Sequence, residues 1–288
     1  MVWLKSTIKR EKMTNIIREE GVTYIATISG GKDSVTMCDL LLKNGYPVDY
    51  ILFQDTMLEF SAMYQYINKV EEYFLSRYNK KIIRLKPRTT FEEWCFGVIR
   101  DKNAKLNGWI RGIPMVWAEP CYWRRESKQK PSDEFLKKNK IENAHTYIGF
   151  TKGENRSLSN TEKQTFSYPL KDIFHMTELN CQEYLMKQDM ENPLYRHFER
   201  TGCGVCTAQS EKAWFNVWKY FPETWAYMKT IEERLEFYER DGYKIKNKYW
   251  FNSHRTCSNM EEKFIEADKQ GCLFDFSDEP LRDCFCKI

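Results

Sequence analysis

The segment at residues 29–34, of sequence SGGKDS, constrains this chain more than any other stretch, because it joins a predicted strand to a predicted helix. The strand is the short β-branched run 22–28, and the helix is the segment 33–43, which ends at an Asn-Gly pair. Two adjacent glycines let the backbone turn tightly and approach a ligand closely. The amide groups that open the helix, together with Lys32 and two serine hydroxyls, are suited to binding phosphate oxygens. The segment is therefore predicted to be a phosphate-binding loop.

Strand and helix patterns alternate along the first half of the chain, which favours parallel strands joined by right-handed crossovers. We therefore expect a doubly wound, Rossmann-like α/β sheet with a helical C-terminal extension. After residue 190 the chain is helical and aromatic, and its tryptophans are predicted to pack helices together. This pattern predicts a nucleotide-binding domain at 1–190 and a helical, cysteine-containing region at 191–288. The predicted strands are 22–28, 48–53, 81–85 and 146–150, and the predicted helices include 59–78, 91–100 and 121–140.

Composition excludes several classes of protein. Hydrophobic residues make up 42% and aromatic residues 15% of the chain, which is enough for a sizeable core and excludes wholesale disorder. No run approaches the roughly 20 apolar residues that a membrane helix needs. The first twenty residues have no apolar block after their basic residues, so we expect no secretory signal and a cytoplasmic location. The net charge of +4 is too small to predict nucleic-acid binding by itself.

The ten cysteines need a separate explanation, because disulfides are rare in a reducing compartment. Cys38 and Cys95 lie in apolar, periodic surroundings and are predicted to be packing residues. Cys203 and Cys206 form a C-x-x-C pair beside two glycines, a spacing at which two thiolates can share one metal centre.

The loop fits neither the Walker pattern nor the dinucleotide GxGxxG pattern. It resembles the SGGxDS pyrophosphate loop of the adenine nucleotide α-hydrolase superfamily, the N-type ATP pyrophosphatases. Further segments, in order along the chain, resemble the phosphoadenosine phosphosulfate (PAPS) reductase family of that superfamily. They are Phe53-Gln54-Asp55-Thr56 with Glu59-Phe60, Cys121 with Lys128 and Pro131, Ile148-Gly149-Phe150, Glu154-Asn155-Arg156, Tyr168-Pro169-Leu170, Asn192-Pro193-Leu194-Tyr195, and residues 200–206.

The resemblance implies an adenine nucleotide in the site and several contacts to it. Lys32, Asp33, Lys128 and Arg156 would act in catalysis at phosphate or sulfate groups, although Lys128 could be solvated surface and Arg156 could pair with Glu154. A carboxylate at Asp55 could hold a ribose hydroxyl or the magnesium of Mg-ATP. The nucleotide-binding residues implied are Ser29, Gly30, Gly31, Lys32, Asp33, Ser34, Asp55 and Gly149.

The same resemblance implies a metal centre. Cys121 stands where iron–sulfur members of the family carry ligands, and with Cys203 and Cys206 it would supply three ligands to a [4Fe–4S] cluster. A zinc site or unmetallated thiols are the alternatives. A fourth ligand could be absent, leaving one iron open to sulfur, and Cys284 could instead be a mobile nucleophile. The candidates for a fourth ligand are Cys181, Cys257, Cys272, Cys284 and Cys286.

The intact SGGKDS segment favours a ligand with a pyrophosphate group, so Mg-ATP, cleaved to AMP and pyrophosphate, is the expected substrate. The resemblance then implies adenylation followed by sulfur transfer, with a sulfur donor protein as partner. A PAPS or adenylylsulfate reductase that uses thioredoxin and releases sulfite is one alternative, and a non-catalytic nucleotide-binding subunit is another. The family includes the sulfur-transferring subunit of DNA phosphorothioation systems, so a nucleic-acid acceptor is a further expectation. The basic residues suited to its phosphates are Arg124, Arg125, Lys128, Lys137 and Lys138.

Overall fold

A single parallel sheet forms the centre of the molecule. The structure is a computed structural model that describes residues 17–116 and 119–270. The five strands lie in the order β3-β2-β1-β4-β5, and all four pairings are parallel. The predicted doubly wound α/β fold is thereby confirmed. The strands are β1 (Thr23–Ile28), β2 (Tyr50–Gln54), β3 (Ile82–Leu85), β4 (Ala144–Tyr147) and β5 (Gln164–Ser167).

Helices cover the sheet and are the main elements of the C-terminal part that the structure describes. A π-helical turn, Arg125–Gln129, joins α4 to α5, and short 3₁₀ turns lie at Pro193–Arg196 and Asn252–His254. The helices are α1 (Lys32–Lys43), α2 (Ser61–Tyr78), α3 (Phe91–Cys95), α4 (Tyr122–Arg124), α5 (Lys130–Lys138), α6 (Pro169–Asp172), α7 (Glu178–Met186), α8 (Glu211–Tyr220), α9 (Pro222–Arg240) and α10 (Cys257–Gln270).

Two predicted elements need correction, and two observed elements were not predicted. The fourth strand was expected at 146–150 but is Ala144–Tyr147, because the chain leaves the sheet there to meet the phosphate loop. Strand β5 was not predicted, since its four residues lie at the sheet edge and none of them is fully buried. The helix expected at 91–100 ends at Cys95, and α10 lies where the sequence pattern is weak.

The two faces of the sheet are covered differently. Ala26 and Ile28 of β1 belong to the larger core, which α1, α2 and α7 complete. The alternate residue Ile25 belongs to a smaller core with Leu52, against which Phe135 of α5 packs. This alternation is the period of two that a strand imposes on its side chains. The second face is therefore only partly covered by helix.

The C-terminal helices pack through aromatic side chains, as predicted. Trp214 of α8 and Trp225 of α9 are buried, and the break at Phe221-Pro222 separates the two helices as expected. Cys38 and Cys95 are also fully buried, which confirms their packing role. Among the described helices, none is long and apolar enough to cross a membrane. The boundary at residue 190 stays a prediction, because the large core contains side chains from both regions.

A buried carboxyl group lies between α9 and α10. The Cys257 amide donates to Glu232 Oε2 at 2.8 Å, whereas Glu232 Oε1 has no hydrogen-bond partner among the described residues. Burial raises the pKa of Glu232 from 4.5 to about 7, against the opposing effect of the hydrogen bonds from Cys257. Between pH 4.5 and about pH 7, Glu232 therefore binds more protons in the folded protein than in the unfolded chain. The free energy of unfolding contributed by Glu232 therefore falls as pH rises through that range.

We predict that Glu232→Gln stabilises the protein at pH 8, because an amide keeps the size of the side chain and cannot ionise. The gain should reach about 3 kcal/mol at most and should vanish near pH 4.5. Urea unfolding at pH 5 and pH 8 measures it, with Glu233→Gln on the exposed side of the same helix as control. If the free energy of unfolding depends on pH equally in wild type and Glu232→Gln, Glu232 does not have a raised pKa in the folded protein.

Candidate nucleotide site

The phosphate loop lies where the strand order of the sheet reverses. Residues 29–31 follow β1, and Gly149 follows β4, the strand on the other side of β1. Ligands of doubly wound sheets bind at this reversal point, beyond the carboxyl ends of the strands. The sheet topology thus places the loop at the position expected for a ligand site.

Two glycines let separate chain segments meet at the loop. Gly30 has φ +75°, and a Cβ there would lie 2.2 Å from the Sδ atom of Met63. A Cβ on Gly149 would lie 2.9 Å from the Cα of Ser34, so β4 leads directly onto the start of α1. The sequence placed Gly149 in the nucleotide site, and the structure brings it to the loop. A larger residue at Gly149 would force two backbones apart, whereas at Gly30 it would displace the Met63 side chain and strain the positive φ.

Hydroxyl groups fix the shape of the loop. Ser34 Oγ accepts from the amide of Ser29 at 3.1 Å and donates to the carbonyl of Gly31 at 3.0 Å. The two serine hydroxyls are also within 3.3 Å of each other. A loop whose hydroxyls are already hydrogen-bonded to its own backbone is preorganised, so binding a ligand costs less ordering entropy.

Lys32 is the buried cation of the loop, with only 8% of its surface exposed. Its ammonium Nζ lies 2.7 Å from Glu178 Oε2 and 3.5 Å from Asp33 Oδ1. Burial alone would lower the pKa of Lys32, but Tyr195, Asp33 and Glu178 outweigh burial and raise it above its ordinary value. The side chain is therefore a permanent positive charge at the N-terminus of α1, next to the predicted phosphate position.

The segment from residue 192 to residue 201 packs onto the loop. The Lys32 amide donates to Tyr195 Oη at 2.9 Å, and Asn192 Nδ2 donates to the carbonyl of Gly30 at 2.8 Å. Thr201 Oγ1 is 3.1 Å from the position that a Cβ on Gly31 would take. Burial raises the pKa of Tyr195, so its hydroxyl stays protonated at neutral pH.

Asn192, Tyr195 and Thr201 lie in segments that match the family pattern, but the sequence assigned no role to them. Their position in those segments was the only feature of the sequence that could have indicated a role in the site. Glu178 was not identified at all, because in the sequence it is one acidic residue after Thr177, whose side chain caps α7. Lys32 and Glu178 are 146 residues apart, and a contact between such distant residues produces no local pattern in the sequence.

Asp55 follows β2 and faces the same edge of the sheet. Its Oδ1 accepts from the Met57 amide at 2.8 Å and from Tyr64 Oη at 2.9 Å, and the residue is buried. Met57 has φ +59°, so the chain turns sharply immediately after the carboxylate. The turn and the tyrosine together hold Asp55 in one orientation at the carboxyl edge of the sheet.

Lys128 lies in the π-helical turn and is buried, so it is not a solvated surface residue. The helix that carries it is held to the Asp55 turn by Trp123, whose indole Nε1 donates to the carbonyl of Thr56 at 3.2 Å. Burial raises the pKa of Glu59, and the positive charge of Lys128 opposes this rise. Lys128 is therefore near enough to the turn that follows β2 for its charge to act on Glu59. Its catalytic role stays a prediction.

Arg156 forms an ion pair with Glu154, which is the alternative weighed from the sequence. Its guanidinium carbon also lies 4.9 Å from the ring centre of Phe150. Glu154 Oε2 in turn accepts from the amide of Thr151 at 2.9 Å. The pair follows β4 and is fixed to its loop, and a contact from Arg156 to a ligand stays a prediction.

A cavity of about 540 Å³ opens on the less covered face of the sheet, the face that carries Ile25 and Leu52. It is lined by residues at the carboxyl ends of four strands: Thr27, Gln54, Ile148 and Phe166. Thr27 is two residues before Ser29, and Ile148 immediately precedes Gly149, so the lining approaches the loop along the chain but includes no residue of the loop itself. Arg124 also lines it, and Arg124 Nε is buried with no hydrogen-bond partner among the described residues.

Cys203 and Cys206 lie in one turn, in which the Cys206 amide donates to the Cys203 carbonyl at 3.1 Å. This turn contacts the segment after β2, because the Gly204 amide donates to the carbonyl of Leu58 at 2.7 Å. Cys121 immediately precedes α4, the helix held to Thr56 through Trp123. All three predicted metal ligands therefore lie on elements that contact the same short segment.

These thiols do not form a metal site as arranged. Within residues 17–116 and 119–270, no three Cys, His, Asp or Glu side chains are grouped as metal ligands would be. Cys181 and Cys257 are fully buried in α7 and α10. The other three candidates for a fourth ligand lie outside the described residues, so the predicted cluster stays a prediction. They are Cys272, Cys284 and Cys286.

The basic residues expected to bind nucleic acid do not share one surface. Arg124 and Arg125 line the cavity, and Lys128 is buried. Lys137 and Lys138 are exposed at the C-terminal end of α5. A nucleic-acid acceptor therefore stays a prediction.

Comparison with known proteins connects these features to a family. The model of the phosphoadenosine phosphosulfate reductase domain matches residues 23–209. An uncharacterized protein of Methanocaldococcus jannaschii is 29% identical over 245 residues, which cover 80% of this chain and 46% of that protein. An adenosine 5'-phosphosulfate reductase of Staphylococcus haemolyticus is 27% identical over 222 residues, which cover 72% of this chain and 81% of that protein.

The crystal structure of a PAPS reductase from Candida auris in a phosphate complex aligns with a TM-score of 0.43 and 16% identity, covering 63% of this chain and 81% of that chain. This chain spans about half the length of the Methanocaldococcus jannaschii relative. The family match extends over more than half of the chain and includes the phosphate loop, Asp55, Gly149 and the cysteine turn. The chain therefore belongs to the phosphoadenosine phosphosulfate reductase domain family.

Proposed function

We propose that this chain binds Mg-ATP at the phosphate loop and transfers AMP to an acceptor, with release of pyrophosphate. The observation that carries the proposal is the complete SGGKDS loop, with the Lys32 ammonium buried at the start of α1. A sulfonucleotide has no β-phosphate, so it has no pyrophosphate for such a loop to hold. A loop with all its phosphate-binding groups present is therefore better matched to ATP.

The surroundings of the loop accommodate the rest of the nucleotide. The cavity on the less covered face of the sheet, of about 540 Å³, falls within the range of small-molecule sites, about 300–1,000 Å³. Its walls combine apolar side chains, such as Ile148 and Phe166, with polar ones, such as Thr27 and Gln54. The proposal places adenosine in this cavity and the β- and γ-phosphates at the loop.

The reaction would be a displacement at the α-phosphorus. An acceptor oxygen forms a bond to the α-phosphorus, the bond to the bridging oxygen breaks, and pyrophosphate leaves with the electron pair. Lys32 and the amides that open α1 stabilise the negative charge of the leaving group. Mg²⁺ neutralises phosphate charge when bound, and it is usually held by one or two carboxylates together with substrate phosphates. Asp33 and Asp55 are the carboxylates suited to hold it.

We propose that sulfur transfer follows: a sulfur nucleophile from a donor protein forms a bond to the acceptor atom that bears the adenylated oxygen, the bond from that atom to the oxygen breaks, and AMP leaves with the electron pair. The cysteine turn against the segment after β2 supports this step. No chemical step is assigned to an iron–sulfur cluster, because the described thiols do not group as a metal site. Iron, sulfide and zinc analysis after anaerobic purification tests the predicted cluster. Iron lost in each of Cys121→Ser, Cys203→Ser and Cys206→Ser, but kept in Cys38→Ser, would support it. One zinc and no iron would contradict it.

A sulfonucleotide reductase is the second candidate function. The relative in Staphylococcus haemolyticus is named an adenosine 5'-phosphosulfate reductase, and its match covers most of both chains. In that case the sulfate would lie where the β-phosphate is proposed here, and thioredoxin would supply electrons. The cysteine turn suits either function, so the nucleotide that is consumed distinguishes them.

We predict that Lys32→Ala weakens binding of a non-hydrolysable ATP analogue by roughly 10- to 150-fold. The loss corresponds to one charge-assisted hydrogen bond, worth about 1.5–3 kcal/mol. Calorimetric titration measures it, and circular dichroism checks that the variant is folded. Lys43→Ala removes the same charge at the other end of α1 and should bind like wild type. Equal affinity in Lys32→Ala and wild type would remove the phosphate-loop assignment.

We predict that the protein releases pyrophosphate from ATP in the presence of acceptor, and little sulfite from PAPS or adenylylsulfate. A coupled pyrophosphate assay and a thioredoxin-linked sulfite assay, run on one preparation, compare the two activities. Sulfite release without ATP turnover would favour the reductase. Tight ATP binding with neither product would favour a non-catalytic subunit.

A further inference from the structure

Both phosphate-binding groups of Lys32 are already occupied by other parts of this chain. The ammonium Nζ lies 2.7 Å from Glu178 Oε2, and the backbone amide donates to Tyr195 Oη at 2.9 Å. These are the two groups of Lys32 that a phosphate at the start of α1 would use. In this structure the ammonium and the amide of Lys32 therefore already have partners within the chain.

Glu178 competes with a phosphate for the same cation. It is the first residue of α7, about half of its side chain is exposed, and it is not one of the loop residues. A phosphate that contacts Lys32 would come within a few ångströms of this carboxylate, and two negative charges at that distance repel each other. Asp33 remains beside Lys32 when Glu178 is removed, so the lysine keeps an anionic neighbour.

Tyr195 competes for the amide in a different way. Its hydroxyl is neutral, and Lys32 Nζ lies 5.3 Å from the centre of its ring. The tyrosine belongs to the segment anchored by Asn192 on the Gly30 carbonyl, and this segment continues to Cys203 and Cys206. Displacement of the Tyr195 hydroxyl would therefore disturb the segment that carries the cysteine turn.

We propose that Glu178 and Tyr195 form a latch on the phosphate loop, which a pyrophosphate group must displace in order to bind. The latch rests on the proposed function, because it requires that the loop binds phosphate. The latch lowers the affinity of the site, so the wild-type protein binds polyphosphate more weakly than a protein whose loop lacks these two contacts. Binding also releases Tyr195, which links occupancy of the loop to the segment leading to the cysteines.

The latch predicts that removing either competitor strengthens binding. Glu178→Gln should tighten binding of inorganic pyrophosphate by about tenfold or more, because it removes the carboxylate charge that pairs with Lys32 and repels the ligand. Tyr195→Phe should tighten it by roughly two- to tenfold, as expected for one neutral hydrogen bond. Glu183→Gln makes the same charge change at another position on α7 and should match wild type.

Calorimetric titration of the four proteins with inorganic pyrophosphate, and then with a non-hydrolysable ATP analogue, tests the latch. Tighter binding in Glu178→Gln than in Glu183→Gln supports it. Weaker binding in Glu178→Gln would make Glu178 part of the ligand site and overturn the latch, as would equal affinity in all four proteins. Binding by none of them would contradict the phosphate-loop assignment itself. Failure of the latch and failure of the proposed function therefore give different results.

Discussion

The site depends on one buried ion pair network around the Lys32 ammonium. A lysine with 8% of its surface exposed is unfavourable unless its charge is compensated, and Asp33 and Glu178 supply that compensation. The pairing keeps Lys32 protonated at the N-terminus of α1, where the helix dipole also favours an anion. The close approach of Gly149 and of the segment carrying Tyr195 brings two distant parts of the chain to the same point. Without a compensated Lys32 these segments would enclose an unfavourable buried charge.

The sheet explains why a ligand site lies at this point. One face is filled by α1, α2 and α7, whereas the other is covered only in part by α5 and leaves a cavity at the carboxyl ends of four strands. The strand order reverses between β1 and β4, and Gly149 after β4 packs directly against the start of α1, which follows the loop. The fold thus provides a pocket and a phosphate loop at the carboxyl ends of the strands, and the family match concerns the part of the chain that builds both.

Local patterns predicted the features that depend on neighbouring residues. The SGGKDS loop, four of the five strands and the burial of Cys38 and Cys95 all follow from periodicity and residue type over short windows. The fifth strand was not predicted, because an edge strand of four residues has little apolar alternation. The roles of Glu178 and Tyr195 were not predicted for another reason: they act on Lys32 from 146 and 163 residues away, and only the folded chain brings them together. The grouping of the cysteines is equally non-local, and in this case the described residues do not assemble the predicted site.

The central claim is that the loop recognises a pyrophosphate group. Titration of the wild-type protein with α,β-methylene-ATP and with adenosine 5'-phosphosulfate, under the same magnesium and salt concentrations, tests it most directly. The two ligands share adenosine and the α-phosphate and differ in the groups attached beyond the α-phosphorus. We expect the ATP analogue to bind at least about tenfold more tightly, since it alone supplies β- and γ-phosphates to Lys32 and the amides of α1. Equal affinity, or tighter binding of the phosphosulfate, would contradict the claim.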